Sequence, residues 1–218
     1  MNIPDIWTFK SDEIAQAFNE HVRSQLPWYD LATKMTAEIV RHYLPDRGLM
    51  YDVGASTGNI GRSVSDTLNA RSASLIAIES SAEMAARYSA PGVVIAKDAR
   101  DINPKRCDVI VCFLSLMFMP PADRPEWIAK WRSALLPGGA MIIFDKTPNA
   151  GGYLGTALSR LAWRLKVDEG KESPESVLLK ELSLAGIQRP MDITELGSGA
   201  VEVFRFGDFA GWVIEANP

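Results

Sequence analysis

Between an apolar run and a helical period stands Tyr51-Asp52-Val53-Gly54-Ala55-Ser56-Thr57-Gly58-Asn59-Ile60-Gly61, and a second apolar run ends further on in Ile78-Glu79. A residue without a Cβ turns the chain sharply out of a strand and lets a ligand lie against bare backbone, which is the work expected of Gly54. Gly58 and Gly61 let the following helix sit close to the sheet, with its first amides turned toward the ligand. An acid at the carboxyl end of the second strand accepts hydrogen bonds from both hydroxyls of a ribose, and Glu79 has that place. The chemistry these residues suit is the holding of a nucleoside. The bland alternative is a tight strand-to-helix turn with a surface acid nearby.

Other polar residues fall where an acceptor would bind. Asp145-Lys146 end the fifth expected strand and Ser115 follows the fourth, both on the carboxyl edge of the sheet. Either could orient a second substrate, and ordinary loop polarity explains them equally well. Arg160, Arg164 and Lys166 offer positive charge, but their spacing also suits a solvated helix face. His21 and His42 lie far upstream and read as helix-surface residues. Cys107 and Cys112 flank Asp108-Val109-Ile110-Val111; their odd spacing points them to opposite faces of a strand, and with no histidine nearby they read as core thiols rather than a metal pair.

These residues need a scaffold, and the alternation of short apolar runs with helical periods supplies one. Helices are expected over residues 11–23, 29–43, 59–68, 82–89, 123–135 and 175–185. Strands are expected over 49–53, 74–78, 93–96, 109–113, 140–145, 191–196 and 209–215. Such alternation argues for a doubly wound, mostly parallel sheet with right-handed crossovers. The tail breaks the rhythm: Gly197-Ser198-Gly199 and Phe206-Gly207-Asp208 are turn-like between apolar runs, which points to a terminal antiparallel hairpin.

At 218 residues, 47% of them apolar, the chain suffices for one domain with a large core, residues 1–45 forming a helical segment ahead of a core over 46–218. Lys and Arg number 23 against 27 Asp and Glu, a net charge of −4, so no global basic field points to nucleic acid. The amino terminus lacks a basic-then-apolar signal pattern and no uncharged apolar run is long enough to cross a bilayer, so a cytoplasmic protein without a membrane partner is expected.

The order Asp-x-Gly-x-x-x-Gly, followed by an acid ending strand two, resembles the class I S-adenosylmethionine (SAM) dependent methyltransferases. The resemblance implies a Rossmann-like, seven-stranded α/β fold and SAM as cofactor, with Asp52, Gly54 and Gly58 in the loop behind its methionine part. It also implies Glu79 on the ribose and, after strand three, Asp98 at the adenine amino group. Two further stretches, Phe18-x-x-x-Val22-x-x-x-x-Pro27-x-Tyr29 and Asp98-Ala99-Arg100-Asp101-Ile102, with Phe204-Arg205-Phe206-Gly207 near the end, are similar to the carboxy-SAM synthase branch, which acts in transfer RNA modification. That branch implies cofactor contacts at Tyr29, at Gly54, Ala55 and Ser56, at Glu79 and Ser80, and at Asp98 and Ala99. For Tyr29 the competing reading is an aromatic packing a helix start, and for Asp98 a turn cap.

Two departures stand out. Where the branch carries asparagine at the end of strand four this chain has Phe113, which packs or stacks against a cofactor but makes no hydrogen bond. The branch arginine that pairs with the added carboxylate has no clear counterpart within 147–173, where Arg160 and Arg164 are the substrate candidates. The expected activity is therefore methyl transfer from SAM to an acceptor left open between a small molecule and an RNA-related one. A carboxy-SAM synthase using prephenate, with carboxy-SAM in the site, is the first alternative, and a non-catalytic SAM-binding subunit with a plugged acceptor pocket is the second. Trp and Tyr in the first helices would form either a homodimer interface or a lid over the cofactor.

Overall fold

The computed structural model describes residues 3–149, 151–169 and 172–216. Two helices, α1 (Asp12–Gln25) and α2 (Tyr29–Tyr43), precede the sheet. Ser11 caps α1 by accepting from the Ile14 amide, and Pro27 sits in the break between the helices. Then follow β1 (Leu49–Val53), α3 (Asn59–Ser63), α4 (Ser65–Arg71), β2 (Ser74–Glu79), α5 (Ala82–Ala85), β3 (Val93–Ala96), β4 (Cys107–Phe113), α6 (Arg124–Ser133) and β5 (Leu135–Lys146). The chain closes with α7 (Gly152–Asp168), α8 (Pro174–Ser183), β6 (Ala200–Phe206) and β7 (Phe209–Glu215).

The seven strands lie in the order β3-β2-β1-β4-β5-β7-β6, parallel except for β7, which runs antiparallel to both β5 and β6. This is the doubly wound, mostly parallel α/β sheet with a terminal hairpin that the residue pattern implies. Because the order reverses between β1 and β4, the loops leaving their carboxyl ends part in opposite directions and open a crevice. Gly54 follows β1 and Leu114-Ser115 follow β4, so the glycine loop stands on one side of that crevice and Ser115 on the other.

Both faces of the sheet are covered. Tyr51, Val53, Ile110, Met141 and Ile143 pack with Trp127 and Trp131 of α6, whereas Met50, Val109, Val111 and Ile142 pack with Ala32 and Val40 of α2 and Ile60 of α3. Alternate residues of each central strand thus serve opposite layers, and the continuous apolar runs follow from having no solvent face. Arg124 locks α6 to the chain before β6: fully buried, it donates to the carbonyls of Met119, Arg189 and Pro190 and pairs with Glu195 at 3.1 Å.

Several expected elements differ. The stretch 191–196 is not a strand but a 3-10 turn, Ile193–Leu196, closed by a capping box in which Asp192 and Glu195 bond each other's backbone amides. The partner of β7 in the hairpin is instead β6. The expected helix over 59–68 breaks at Val64 into α3 and α4. α7 goes beyond the expected helices altogether. Cys107 and Cys112, both fully buried and free, do not face opposite ways: a register shift between Cys107 and Val109 brings both into the α6 side of the core.

Candidate functional site

The loop after β1 is held by its own backbone. Gly54 and Ala55 donate to the Ile78 carbonyl at 2.8 and 3.0 Å, and Gly58 donates to Ala55 at 2.8 Å. Gly54 has φ +77°, and a Cβ there would run into the Ser115 side chain. The glycine is therefore required by the approach of the β4 loop as well as by any ligand. Gly58 has φ +94° and is overlain by Ala90 and Tyr88. Ser56 takes φ +51°, a left-handed conformation rare for a residue with a side chain. The strain aims its amide at Glu79, whose Oε2 accepts it at 2.8 Å.

Glu79 is buried and tightly framed, with its Oε1 accepting from the Ser81 amide at 2.8 Å. Burial lifts its carboxyl above the ordinary range, and the bonds from Ser81, Ser56 and Ser80 oppose that rise. The Ser56 and Ser81 amides each occupy one oxygen and Ser80 takes a further share, so ribose hydroxyls would bond Glu79 in place of the Ser80 contacts.

Asp52, one strand over, is only 1% exposed; the Gly61 amide bonds it, yet its Oδ2 has no partner among the described residues. Burial first, and then the Glu79 charge, push its carboxyl up to about 7. Ser115 Oγ is likewise buried without a partner. An orphaned carboxylate oxygen and hydroxyl beside a glycine loop fit a ligand that brings a cation and hydrogen-bonding groups of its own, as the amino-acid part of SAM does.

Two adjoining cavities open from this corner. The larger, about 420 Å³, is lined by Tyr29, Asp52, Gly54, Ala55, Ser56, Glu79, Ser80 and Phe113 on the side of the glycine loop. The smaller, about 120 Å³, holds Asp98 and Ala99 and shares Gly54, Ser80, Ser115 and Phe118 with the first. Glu79 and Ser80 thus stand where a ribose would join a base in the small cavity to a chain in the large one. Gly58 and Gly61 shape the loop and its helix without lining either cavity.

Asp98 shows the contacts of a turn cap: its Oδ1 accepts the Arg100 amide at 2.9 Å, and the Arg100 guanidinium grips the same carboxylate while reaching Asp123 at 2.9 Å. Arg100 holds the Asp98 carboxyl below its ordinary value. A base in the small cavity would have to share an oxygen already engaged.

Aromatic residues roof the large cavity. Tyr29 is buried edge-on to Phe113, ring centroids 5.5 Å apart, with the Arg23 guanidinium 5.2 Å from its ring centre. Trp28 is buried against Phe204, Phe206 and Phe209 of the hairpin. The start of α2 therefore turns Trp28 and Tyr29 inward. Trp7 and Phe9, from the segment before α1, complete the roof. Phe113, Phe118 and Trp163 line an open space and do not plug it.

The far wall corrects several expectations. Arg160 and Arg164 are exposed and do not line the cavity; Arg164 pairs with Asp168 on the solvent face, its side chain 76% exposed. The cavity's cations are Lys146, Lys166 and Lys180. Lys166 bonds Glu181 at 2.6 Å, and Lys146 bonds Gln188 at 2.8 Å and faces Asp208 at 3.5 Å. His21 is no surface residue: it stacks on Trp7 at 5.6 Å inside the cavity, and burial with the Lys180 charge pushes its imidazole down to about 4. Asp145 is fully buried and bonds the amides of Met117 and Lys146, so it fixes the loop after β4 and is not itself a lining residue.

Residues 50–139 match a family model described as a methyltransferase domain. The carboxy-S-adenosyl-L-methionine synthase of Staphylococcus epidermidis is 28% identical over 214 residues, covering 96% of this chain and 92% of the relative, and that of Wolinella succinogenes is 27% identical over 94% and 92%. Among solved structures, the plantazolicin methyltransferase BpumL in complex with SAH superposes with a TM-score of 0.63 at 13% identity, over 94% of this chain and 90% of that one. Human N-acetylserotonin methyltransferase in complex with SAM superposes at 0.61 and 11% identity, over 96% of this chain and 58% of that one.

Proposed function

The chain is related to the class I SAM-dependent methyltransferases and, among them, to the carboxy-SAM synthase branch, and on that premise we propose that it transfers a methyl group from SAM to a small acceptor enclosed beneath its amino-terminal helices. The observation that carries this reading is the acid pair at the carboxyl ends of β1 and β2. Glu79 is framed by amides and would take a ribose in place of its Ser80 contacts, and the orphaned Asp52 Oδ2 awaits a cation. Gly54, Ala55 and Ser56 would back the amino-acid part, Asp98 and Ala99 would flank the base, and Tyr29 and Phe113 would close over the sulfonium.

SAM supplies an electrophilic methyl on its sulfonium, so the chain need provide no general base. Its residues align the acceptor and keep water out, which the aromatic roof and the large cavity are built to do. We take the whole chain as one catalytic domain acting in the cytoplasm. Among the described residues no helix is long and apolar enough to cross a membrane.

Isothermal titration with SAM and S-adenosylhomocysteine tests the reading: micromolar binding of both is expected, and binding of neither would overturn it. A second reading, synthesis of carboxy-SAM, is favoured by relatives so named that align along nearly the whole chain. Phe113 in place of asparagine, and Arg160 and Arg164 outside the cavity, count against it. Mass spectrometry of the nucleoside formed from SAM and prephenate separates the two, since only carboxy-SAM synthesis adds a carboxylate.

A further inference from the structure

The wall formed by α1, α7 and α8 holds polar groups that the cofactor corner does not use. Gln25 is 7% exposed, its amide nitrogen turned toward the Glu172 carboxylate and its Oε1 buried without a partner among the described residues; His21 Nε2 is buried without one as well. Lys180, also 7% exposed, lies with its ammonium against the face of Trp7 and has no hydrogen bond or ion pair among the described residues. All three line the large cavity. Burying so many polar groups unmet is costly unless a ligand meets them.

The surroundings define that ligand. Lys166 and Glu181 neutralise each other beside Lys180, Glu172 is engaged by Ser24, Ser176 and Gln25, and His21 is kept uncharged. Lys180 is thus the basic group left without an anion on this wall. Next to it Trp7, Phe9, Phe18 and Phe118 meet in edge-to-face contacts with centroids 4.9 to 5.9 Å apart, a surface for a flat apolar body.

We propose that Lys180, Gln25 and His21 form the acceptor subsite, and that the acceptor is a small aromatic acid whose carboxylate sits on the Lys180 ammonium while its ring lies against the Trp7 cluster. The proposal rests on the methyltransferase reading. Gln25 donates to the carboxylate through its amide nitrogen, and His21 donates from Nε2, its unpartnered nitrogen, in the tautomer that carries the proton there. Burial and the nearby Lys166 charge push Lys180 down to about 6, with Glu181 opposing, so at neutral pH the empty site holds mostly the free amine. Seating a carboxylate then draws a proton onto Lys180, and affinity should fall about tenfold per pH unit above pH 6.

The test uses the full chain saturated with S-adenosylhomocysteine, titrated calorimetrically with benzoate, cinnamate and indole-3-acetate and with their primary amides. The acids should bind at least tenfold tighter than the amides, with net proton uptake when the titration is repeated in buffers of different ionisation heat. Lys180→Met should abolish that preference, Gln25→Leu should reduce it, and Lys180→Arg should keep it while removing the proton uptake. S-adenosylhomocysteine affinity measured on each variant reports whether the fold survives. Equal affinity for acid and amide, no binding of any acid, or an acid preference untouched by Lys180→Met and Gln25→Leu would each overturn the proposal. Acids that bind only by competing with S-adenosylhomocysteine would overturn it too, giving Lys180 to the cofactor's own carboxylate. Failure of S-adenosylhomocysteine itself to bind would instead remove the methyltransferase reading.

Discussion

Replacing Asp52 by asparagine should make the ligand-free protein more stable at alkaline pH while weakening its hold on the cofactor. Burial lifts the Asp52 carboxyl to about 7 from 3.8. At about 1.4 kcal/mol per tenfold change in proton affinity, its ionised form costs the empty protein about 4 kcal/mol above pH 7. Asparagine removes that charge at nearly the same shape, but its amide N–H groups are then buried with few acceptors, at about 1–3 kcal/mol. The net gain is about 1–3 kcal/mol at pH 8. The sign follows from proton counting: between about pH 4 and 7 the native chain keeps a proton on Asp52 that the unfolded chain has released, so wild-type stability falls as pH rises through that window. The asparagine variant lacks this loss, so it should be less stable than the wild type by about 1–3 kcal/mol near pH 4, where only its amide penalty remains, and more stable by pH 8. Urea unfolding of both proteins at half-unit pH steps measures the difference directly, and most other titrating groups cancel in it. A stability difference that stays flat from pH 4 to pH 8 would falsify the idea of an uncompensated buried charge. The same variant should lose about tenfold or more in S-adenosylhomocysteine affinity, because the cation of the ligand would meet a neutral amide.

Glu79→Gln should weaken S-adenosylhomocysteine binding by about 1–3 kcal/mol, since the ribose hydroxyls lose a charged acceptor; unchanged affinity by calorimetry in a folded variant would remove Glu79 from the site. Gly54→Ala should cost about 1–3 kcal/mol through its φ of +77° and its collision with Ser115, and Ser115→Gly in the same chain should recover part of this in thermal denaturation. Arg124→Met should destabilise the fold by about 3–5 kcal/mol, because Glu195 and three carbonyls lose their buried cation; a shift below about 1 kcal/mol in urea would refute that role.

What was legible in the sequence is what local rules fix. A strand buried on both faces must be an unbroken apolar run, and a chain that leaves it at positive φ beside another loop must do so at glycine, so β1, Gly54 and Glu79 stand out without coordinates. The turns on either side mark the hairpin, but apolar content points to 191–196 as its first strand where the structure has Ala200–Phe206. The capping pair Asp192 and Glu195 makes that stretch a turn, and side chains reaching back to amides override apolar content. The two cysteines show the same limit, since parity along a strand holds only until a bulge shifts it.

The cofactor corner is local in this sense: its residues sit at strand ends, and spacing alone locates them. The acceptor wall is not. Trp7, His21 and Gln25 come from the first 25 residues and Lys180 from α8 near the other end of the chain, and nothing in either segment marks a lysine as buried and unpaired. Arg160 and Arg164 had the charge the site needed, yet the rotation of α7 turns them to solvent and points Lys166 inward. Sequence by itself determined the glycine-loop corner proposed to hold the nucleoside, because backbone geometry there demands particular residue types. Only the tertiary structure decided which charges face the cavity, because burial and pairing depend on what each helix packs against.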